Sequence, residues 1–265
     1  MTPMTTTPAP RSRIVPSAQV AVAVLVTALV LGAAALTSTL VLGLVLAAAA
    51  VVLAWGWAGT LNLPTPRGTV GTIVVGGLAL VGSVVLVGRS PQLTWVPAGL
   101  GLAMIAAFVH QLFRRDGRPR VVQSVSAVVL ALAVLACAVL LVPLAATTEG
   151  VALVLGALAA AGASSVSDLL GRWPAMKHWL TAAAMLAGGG AAVVVALTLG
   201  APWTTWLLVG VAAGALSHAM RQVLCDLPTM AHARPRLVAA LVSVLVTGVV
   251  PYLVALAFLP SALPG

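Results

Sequence analysis

Apolar residues run along this chain in long stretches that are separated by short polar segments. Most stretches hold about 20 residues, the length that an α-helix needs to cross the roughly 30 Å hydrocarbon core of a bilayer. Charged residues, Pro and Gly collect between the stretches, where they interrupt helices. The pattern predicts an all-α, polytopic integral membrane protein with about nine transmembrane helices.

The polar breaks set the bounds of the predicted spans. Residues 1–13, rich in Thr and Pro, are predicted to be a disordered cytoplasmic tail, and residues 14–265 a single transmembrane helical domain. The predicted spans are Ala18 to Leu36, Leu40 to Trp57, the residues after Gly68 up to Val87, Leu93 to Phe113, Val121 to Ala145, Val151 to Leu170, the residues after His178 up to Leu199, Trp203 to Leu224, and Leu237 to Leu259.

The composition supports this class. With 62% hydrophobic and only 6% charged residues, a water-soluble fold is excluded. The net charge of +9 lies in short loops between apolar runs, so membrane lipids, including anionic phospholipid, are the expected partners and nucleic acid is not. Cys137 and Cys225 have no CxxC spacing, which suggests neither a disulfide nor a metal site.

The cations also predict the orientation. Short cationic loops stay on the cytoplasmic side during insertion, and the densest one runs from Arg114 to Arg120. Nine spans with the N-terminus in the cytoplasm and the C-terminus outside leave only Arg89 on the outer side. The cytoplasmic side then holds Arg11, Arg13, Arg67, Arg114, Arg115, Arg118, Arg120, Arg172, Lys177, Arg221, Arg234 and Arg236. The predicted location is the cytoplasmic membrane.

Tryptophan side chains favour the head-group layer and so test the span ends. All seven fall at predicted span ends. They are Trp55, Trp57, Trp95, Trp173, Trp179, Trp203 and Trp206.

Polar residues within the spans concentrate in the predicted cytoplasmic half. They are His110, Gln111, Gln123, Ser124, Ser126, Ser164, Ser165, Ser167, Asp168, Ser217, His218 and Arg221. Polar groups are costly in hydrocarbon, so this pattern predicts a polar pocket that opens to the cytoplasm. The alternative is that the serines bond to their own helices or join neighbouring ones, and that His110 and Asp168 extend to the interface.

Residues from Val151 onward resemble the phosphatidate cytidylyltransferases, membrane enzymes that make CDP-diacylglycerol from CTP and phosphatidic acid. The segment from Ala163 to Arg172 has the place of that family's Asp-x-x-Ala-Tyr-x-x-Gly-Arg element and ends in the same Gly-Arg. Lys177, Gly188-Gly189 and Val250-Pro251-Tyr252 also have counterparts. The resemblance implies a lipid-handling protein whose polar side faces the cytoplasm.

The family's catalytic residues are not matched. Where its Gly-Asp signature is expected, the chain has Gly214 to His218 without an aspartate, and Ser164 occupies the other aspartate position. A magnesium ion usually needs at least one carboxylate and often two, so we expect no cofactor; Mg²⁺ would apply only if the family activity were retained. The resemblance therefore implies a divergent, non-catalytic relative.

The candidate ligand-binding residues are Ser164, Ser167, Asp168, Arg172, Lys177, Ser217, His218, Arg221 and Arg236. The four cations among them would contact phosphate, with Asp168 and His218 nearby. Two alternatives remain open. One is a permease or transporter subunit, and the other is a structural subunit that binds a membrane-protein partner.

Overall fold

The computed structural model describes residues 18–63, 66–86, 93–114 and 120–264. These residues contain no strand, and nine of their helices are long and apolar enough to cross a membrane. The helices are α1 (Ala18–Thr37), α2 (Thr39–Thr60), α3 (Pro66–Val85), α4 (Val96–Phe113), α5 (Val121–Leu144), α6 (Thr148–Arg172), α7 (Pro174–Thr198), α8 (Trp203–Cys225) and α9 (Ala233–Phe258). The prediction of an all-α, multi-pass membrane protein is confirmed.

Some predicted features lie outside the described residues. These are the tail at residues 1–13, the outer Arg89, and residues 115–119 of the cationic loop.

Several helices differ from the predicted spans: α4 begins at Val96 rather than Leu93, α7 begins at Pro174 rather than after His178, and α9 begins at Ala233 rather than Leu237. Helix α6 begins at Thr148 rather than Val151, because the Thr147 hydroxyl accepts a hydrogen bond from the Gly150 amide at 3.0 Å and caps the helix. Helix α9 changes to a tighter 3-10 turn at Val246–Gly248. Pro251 lacks the amide hydrogen that would bond Thr247, which favours the change at that point.

The helices pack as two groups joined by a shared pair. Helices α6, α7 and α8 contact one another, and so do α2, α3 and α5, with α4 packed on α3 and α5. Helix α1 contacts α2, α6 and α9, while α9 also contacts α2 and α8. Helices α6 and α9 are the most buried, and α4 and α7 lie at the periphery.

Side-chain hydrogen bonds join the end of α2, the start of α5 and the α8–α9 turn at one end of the bundle. The Thr229 hydroxyl donates to Thr60 O at 2.7 Å, which joins the α8–α9 turn to the end of α2. Arg120 donates to Asn62 O at 3.0 Å, which joins the start of α5 to the α2–α3 turn. We call this the basic end. Its described cations are Arg67, Arg114, Arg120, Arg172, Lys177, Arg221, Arg234 and Arg236.

The opposite end carries no described Lys or Arg. There the Thr147 hydroxyl donates to Ala262 O at 2.7 Å, and the Ser261 hydroxyl donates to the Glu149 carboxylate at 2.5 Å. The described cations are therefore confined to one end of the bundle.

Two tryptophans correct the expectation of an interfacial belt. Trp57 is buried and its indole N–H donates to Ala127 O at 2.7 Å, which ties α2 to α5. Trp206 is also buried and donates to Ala152 O at 3.2 Å, which ties α8 to α6. A buried indole needs a partner for its N–H, and here backbone carbonyls of neighbouring helices supply it. The other five tryptophans are exposed.

Helices α7 and α8 approach closely because glycines face each other across their contact. A Cβ atom at Gly210 would lie 2.5 Å from Gly188 O, and one at Gly214 would lie 2.7 Å from Ala184 O. Without water to drive association, helices in lipid depend on such close packing. The Gly210/Gly214 pair and Gly188 therefore serve helix packing.

We expect Gly210→Ala and Gly214→Ala each to lower the free energy of unfolding by about 1–3 kcal/mol, since the added methyl would push against backbone atoms. Titration of the detergent-solubilised protein with SDS would measure it. The matched control is Gly190→Ala, because a Cβ atom there meets nothing within 4 Å. Equal effects of all three changes would contradict this account of the α7–α8 contact.

Candidate functional site

Polar side chains on α6 and α8 meet near the basic end. Ser164 and Asp168 are four residues apart on α6, and Ser217 and Arg221 are four apart on α8, so each pair occupies one helix face. His218 lies on the same side of α8. These faces turn toward each other and form what we call the charge cluster, made of Ser164, Asp168, Ser217, His218 and Arg221.

Both oxygens of the Asp168 carboxylate are occupied within the cluster. Arg221 Nε donates to Oδ2 at 2.5 Å, and His218 Nδ1 lies 2.5 Å from Oδ1. The carboxylate thus holds both the arginine and the histidine in place.

The rest of the Arg221 guanidinium bonds to serine hydroxyls. Nη1 donates to Ser217 Oγ at 2.5 Å and Nη2 donates to Ser164 Oγ at 3.0 Å. Asp168, Arg221 and His218 are only 1%, 2% and 3% exposed. These side chains face one another in the interior and do not line the open pocket that the sequence predicts.

The position of Asp168 explains why it needs cationic partners. It follows the last α-helical residue of α6, Ser167, at the point where the helix becomes a 3-10 turn over Asp168–Arg172. A negative charge at a helix C-terminus is unfavourable because the exposed carbonyls carry negative partial charge. Burial adds a further cost, which the contacts with Arg221 and His218 offset.

The residues that follow the cluster form an exposed segment. Residues 172–179, which we call the α6–α7 link, comprise the last residue of α6 (Arg172), Trp173 and the 3-10 helix Pro174–Trp179 with which α7 begins. Arg172, Trp173, Lys177 and Trp179 are all exposed, and neither cation has a hydrogen-bond or ion-pair partner in the described part of the chain. Two of the predicted cations are therefore available at the surface.

Two predicted site residues do not hydrogen-bond to the side chains of the charge cluster. Ser167 donates only to Ser164 O of its own helix at 2.8 Å, as the alternative interpretation of the serines expects. Arg236 belongs to α9, where its guanidinium donates to Met230 O, Ala231 O and Gln19 Oε1. Of the nine candidates, five form the cluster, Arg172 and Lys177 lie on the link, and Ser167 and Arg236 join neither set.

The cluster does not suit a magnesium ion. Asp168 is its single carboxylate, and both oxygens already contact cationic or proton-donating nitrogens. In the described residues, no group of three or more His, Cys, Asp or Glu side chains converges on a common point.

The predicted site places Asp168 near Arg221 without pairing them. The sequence nevertheless contains the pattern of the pair, because each helix carries its polar residues four apart and the two sets have complementary charge.

Comparison with protein-family models, curated proteins and solved structures finds no match to this chain. The resemblance to the phosphatidate cytidylyltransferases therefore stays a prediction.

We expect Asp168→Asn to lower the free energy of unfolding by about 3–5 kcal/mol, because it leaves the buried Arg221 charge without a counter-ion. Arg221→Met should cost a similar amount by isolating the carboxylate. The double variant Asp168→Leu, Arg221→Met should recover most of the loss, since it buries no charge. Titration with SDS would measure all three.

Ser165→Ala is the control for that series, because its hydroxyl bonds only to Gly162 O of its own helix. We expect little change from it. A double variant as unstable as either single one would show that the ion pair is not what makes each single change costly.

Proposed function

We propose that this integral membrane protein binds anionic phospholipid head groups at its basic end through the α6–α7 link, without a catalytic step. The observation that carries the proposal is the pair of exposed cations Arg172 and Lys177, neither of which has a partner in the described residues. Trp173 and Trp179 are exposed beside them.

The composition of the link suits a head-group layer. Indole rings favour the interface between hydrocarbon and water, so the two tryptophans would hold the link at that depth. Each Lys or Arg near an anionic membrane surface contributes about 1 kcal/mol. Together they provide two charges for phosphate and two aromatic anchors for depth.

The charge cluster gives this surface a fixed place on the bundle. Asp168 begins the 3-10 turn that leads to Arg172, and its carboxylate is bonded to α8 through Arg221 and His218. The link therefore leaves the bundle from an anchored point. In this proposal the cluster is a positioning element, and the exposed cations make the contact with lipid.

The same proposal accommodates the resemblance to a lipid-nucleotide enzyme family. A scaffold that keeps the basic Gly-Arg segment but lacks a free carboxylate can still bind lipid phosphate. The permease alternative needs a polar path across the bundle, whereas in the described residues the most deeply buried charges, Asp168 and Arg221, are bonded to each other near one end. Lipid binding is therefore the better-supported proposal.

The proposal requires the basic end to face the cytoplasm. In a Cys137→Ala, Cys225→Ala background, we expect Thr148→Cys at the opposite end to react with a membrane-impermeant maleimide on intact cells. Lys177→Cys should react only after the membrane is permeabilised, since short cationic loops stay inside. Both positions are exposed on the protein, so the membrane is what separates them. The reverse labelling pattern would contradict the orientation.

Lipid binding itself is tested by native mass spectrometry of the protein released from nanodiscs that contain phosphatidic acid and phosphatidylcholine. We expect Arg172→Gln with Lys177→Gln to remove about 2 kcal/mol of phosphatidic acid binding, roughly 30-fold in affinity. Phosphatidylcholine retention should not change.

Arg67→Gln is the matched control, because Arg67 is also an exposed basic-end cation but lies on α3. We expect it to leave phosphatidic acid retention unchanged. Equal loss in the control and the link variant would indicate diffuse attraction to the whole basic end and would overturn the proposed site.

A further inference from the structure

A groove of about 610 Å³ lies between α1, α2 and α9. Val22 and Val26 line it from α1, Val52 from α2, and Leu237 and Leu241 from α9. None of its lining residues belongs to α6, α7 or α8, so it is separate from the charge cluster and the α6–α7 link.

The wall of this groove is apolar along its depth. The lining residues of α1 extend from Gln19 to Thr27, a length of about 12 Å along the axis of an α-helix. The Thr27 hydroxyl donates to Ala23 O of its own helix at 2.8 Å, so it offers no free donor to the groove. The depth suits a hydrocarbon chain and gives no hydrogen bonds to a polar occupant.

The mouth of the groove lies at the basic end and carries positive charge. Gln19 lines the mouth, and Arg236 Nη1 donates to its side-chain oxygen at 2.9 Å. The other Arg236 bonds go to the backbone carbonyls of Met230 and Ala231. All of these acceptors are neutral, so they hold the guanidinium in place without cancelling its charge.

A second cation lies close by in sequence. The Arg234 guanidinium lies 3.7 Å from the centre of the Trp55 ring, an arrangement that also leaves its charge uncompensated. Trp55 is three residues from the groove-lining Val52 on α2. In the described residues neither Arg234 nor Arg236 has a carboxylate partner.

A second groove, between α1, α6 and α7, provides a contrast. It is lined by residues such as Leu29, Leu155 and Val195, and no charged residue contributes to it. Of these two grooves, the one between α1, α2 and α9 combines an apolar depth with a cationic mouth.

We propose that the α1–α2–α9 groove binds one anionic phospholipid of the adjoining leaflet. Its acyl chain lies along Val22, Val26 and Leu241, and its phosphate lies against Arg236 at the mouth, within reach of the Arg234 charge. Charge complementarity identifies the occupant, because a neutral lipid would leave the cations uncompensated. The site goes beyond the link proposed above and does not depend on it.

The test uses the full-length protein in nanodiscs with phosphatidylglycerol that carries a diazirine in its acyl chain, followed by peptide mapping of the cross-links. We expect labelling at Val22, Val26 or Leu241, and about fivefold less with the matching phosphatidylcholine probe. Gln19→Glu should reduce phosphatidylglycerol labelling by about fivefold as well, because its carboxylate would keep the contact with Arg236 and neutralise it.

Two tryptophan variants test occupancy of the groove. Val22→Trp fills it from a position that is 57% exposed, and should abolish the labelling. Val30→Trp is the control, since Val30 is 48% exposed on the same helix and lines neither groove. It should leave the labelling intact.

The outcomes separate this site from the link. Arg172→Gln with Lys177→Gln should leave the groove labelling unchanged, even where it removes phosphatidic acid from the link. Groove labelling that is absent, that is equal for both probes, or that survives Gln19→Glu would overturn the groove site without affecting the proposed function.

Discussion

The ion pair between Asp168 and Arg221 is the contact on which the arrangement of the basic end depends. Both side chains are buried in a largely apolar bundle, where an isolated charge would be costly. Because neither charge can remain alone, the end of α6 must lie beside α8 at the height where the two meet. The hydroxyls of Ser164 and Ser217 accept the remaining hydrogen bonds of Arg221 and so fix the position of α6 along α8.

The glycine contact between α7 and α8 acts together with this pair. Gly188, Gly210 and Gly214 allow the two backbones to approach closely, while Trp206 bonds α8 to α6. The ion pair fixes the end of α6 against α8, and the glycine contact holds α7 against the same helix. Helix α8 is therefore held from two sides, by a charge pair on one side and by close backbone packing on the other.

The sequence was informative about spans and less so about side-chain partners. Hydropathy located the nine helices because span length is set by the bilayer, and the polar residues of α6 and α8 were identified by their place near one end. Trp57 and Trp206 were expected at the interface, but both turn inward, because carbonyls of neighbouring helices can satisfy a buried indole. Such partners depend on helix rotation, which near-uniform Ala, Val and Leu faces do not specify.

The same limit explains why the cluster was expected to be an open pocket. Position along a helix shows that Asp168 and Arg221 lie near one end of the bundle, but not whether they face water or each other. In the structure the buried Arg221 is neutralised by a carboxylate, whereas Arg172, Lys177, Arg234 and Arg236 have none in the described residues. The charges of Asp168 and Arg221 thus hold α6 and α8 together. The uncompensated charge lies at the basic end, where it can attract anionic head groups of the adjoining leaflet or anions in solution.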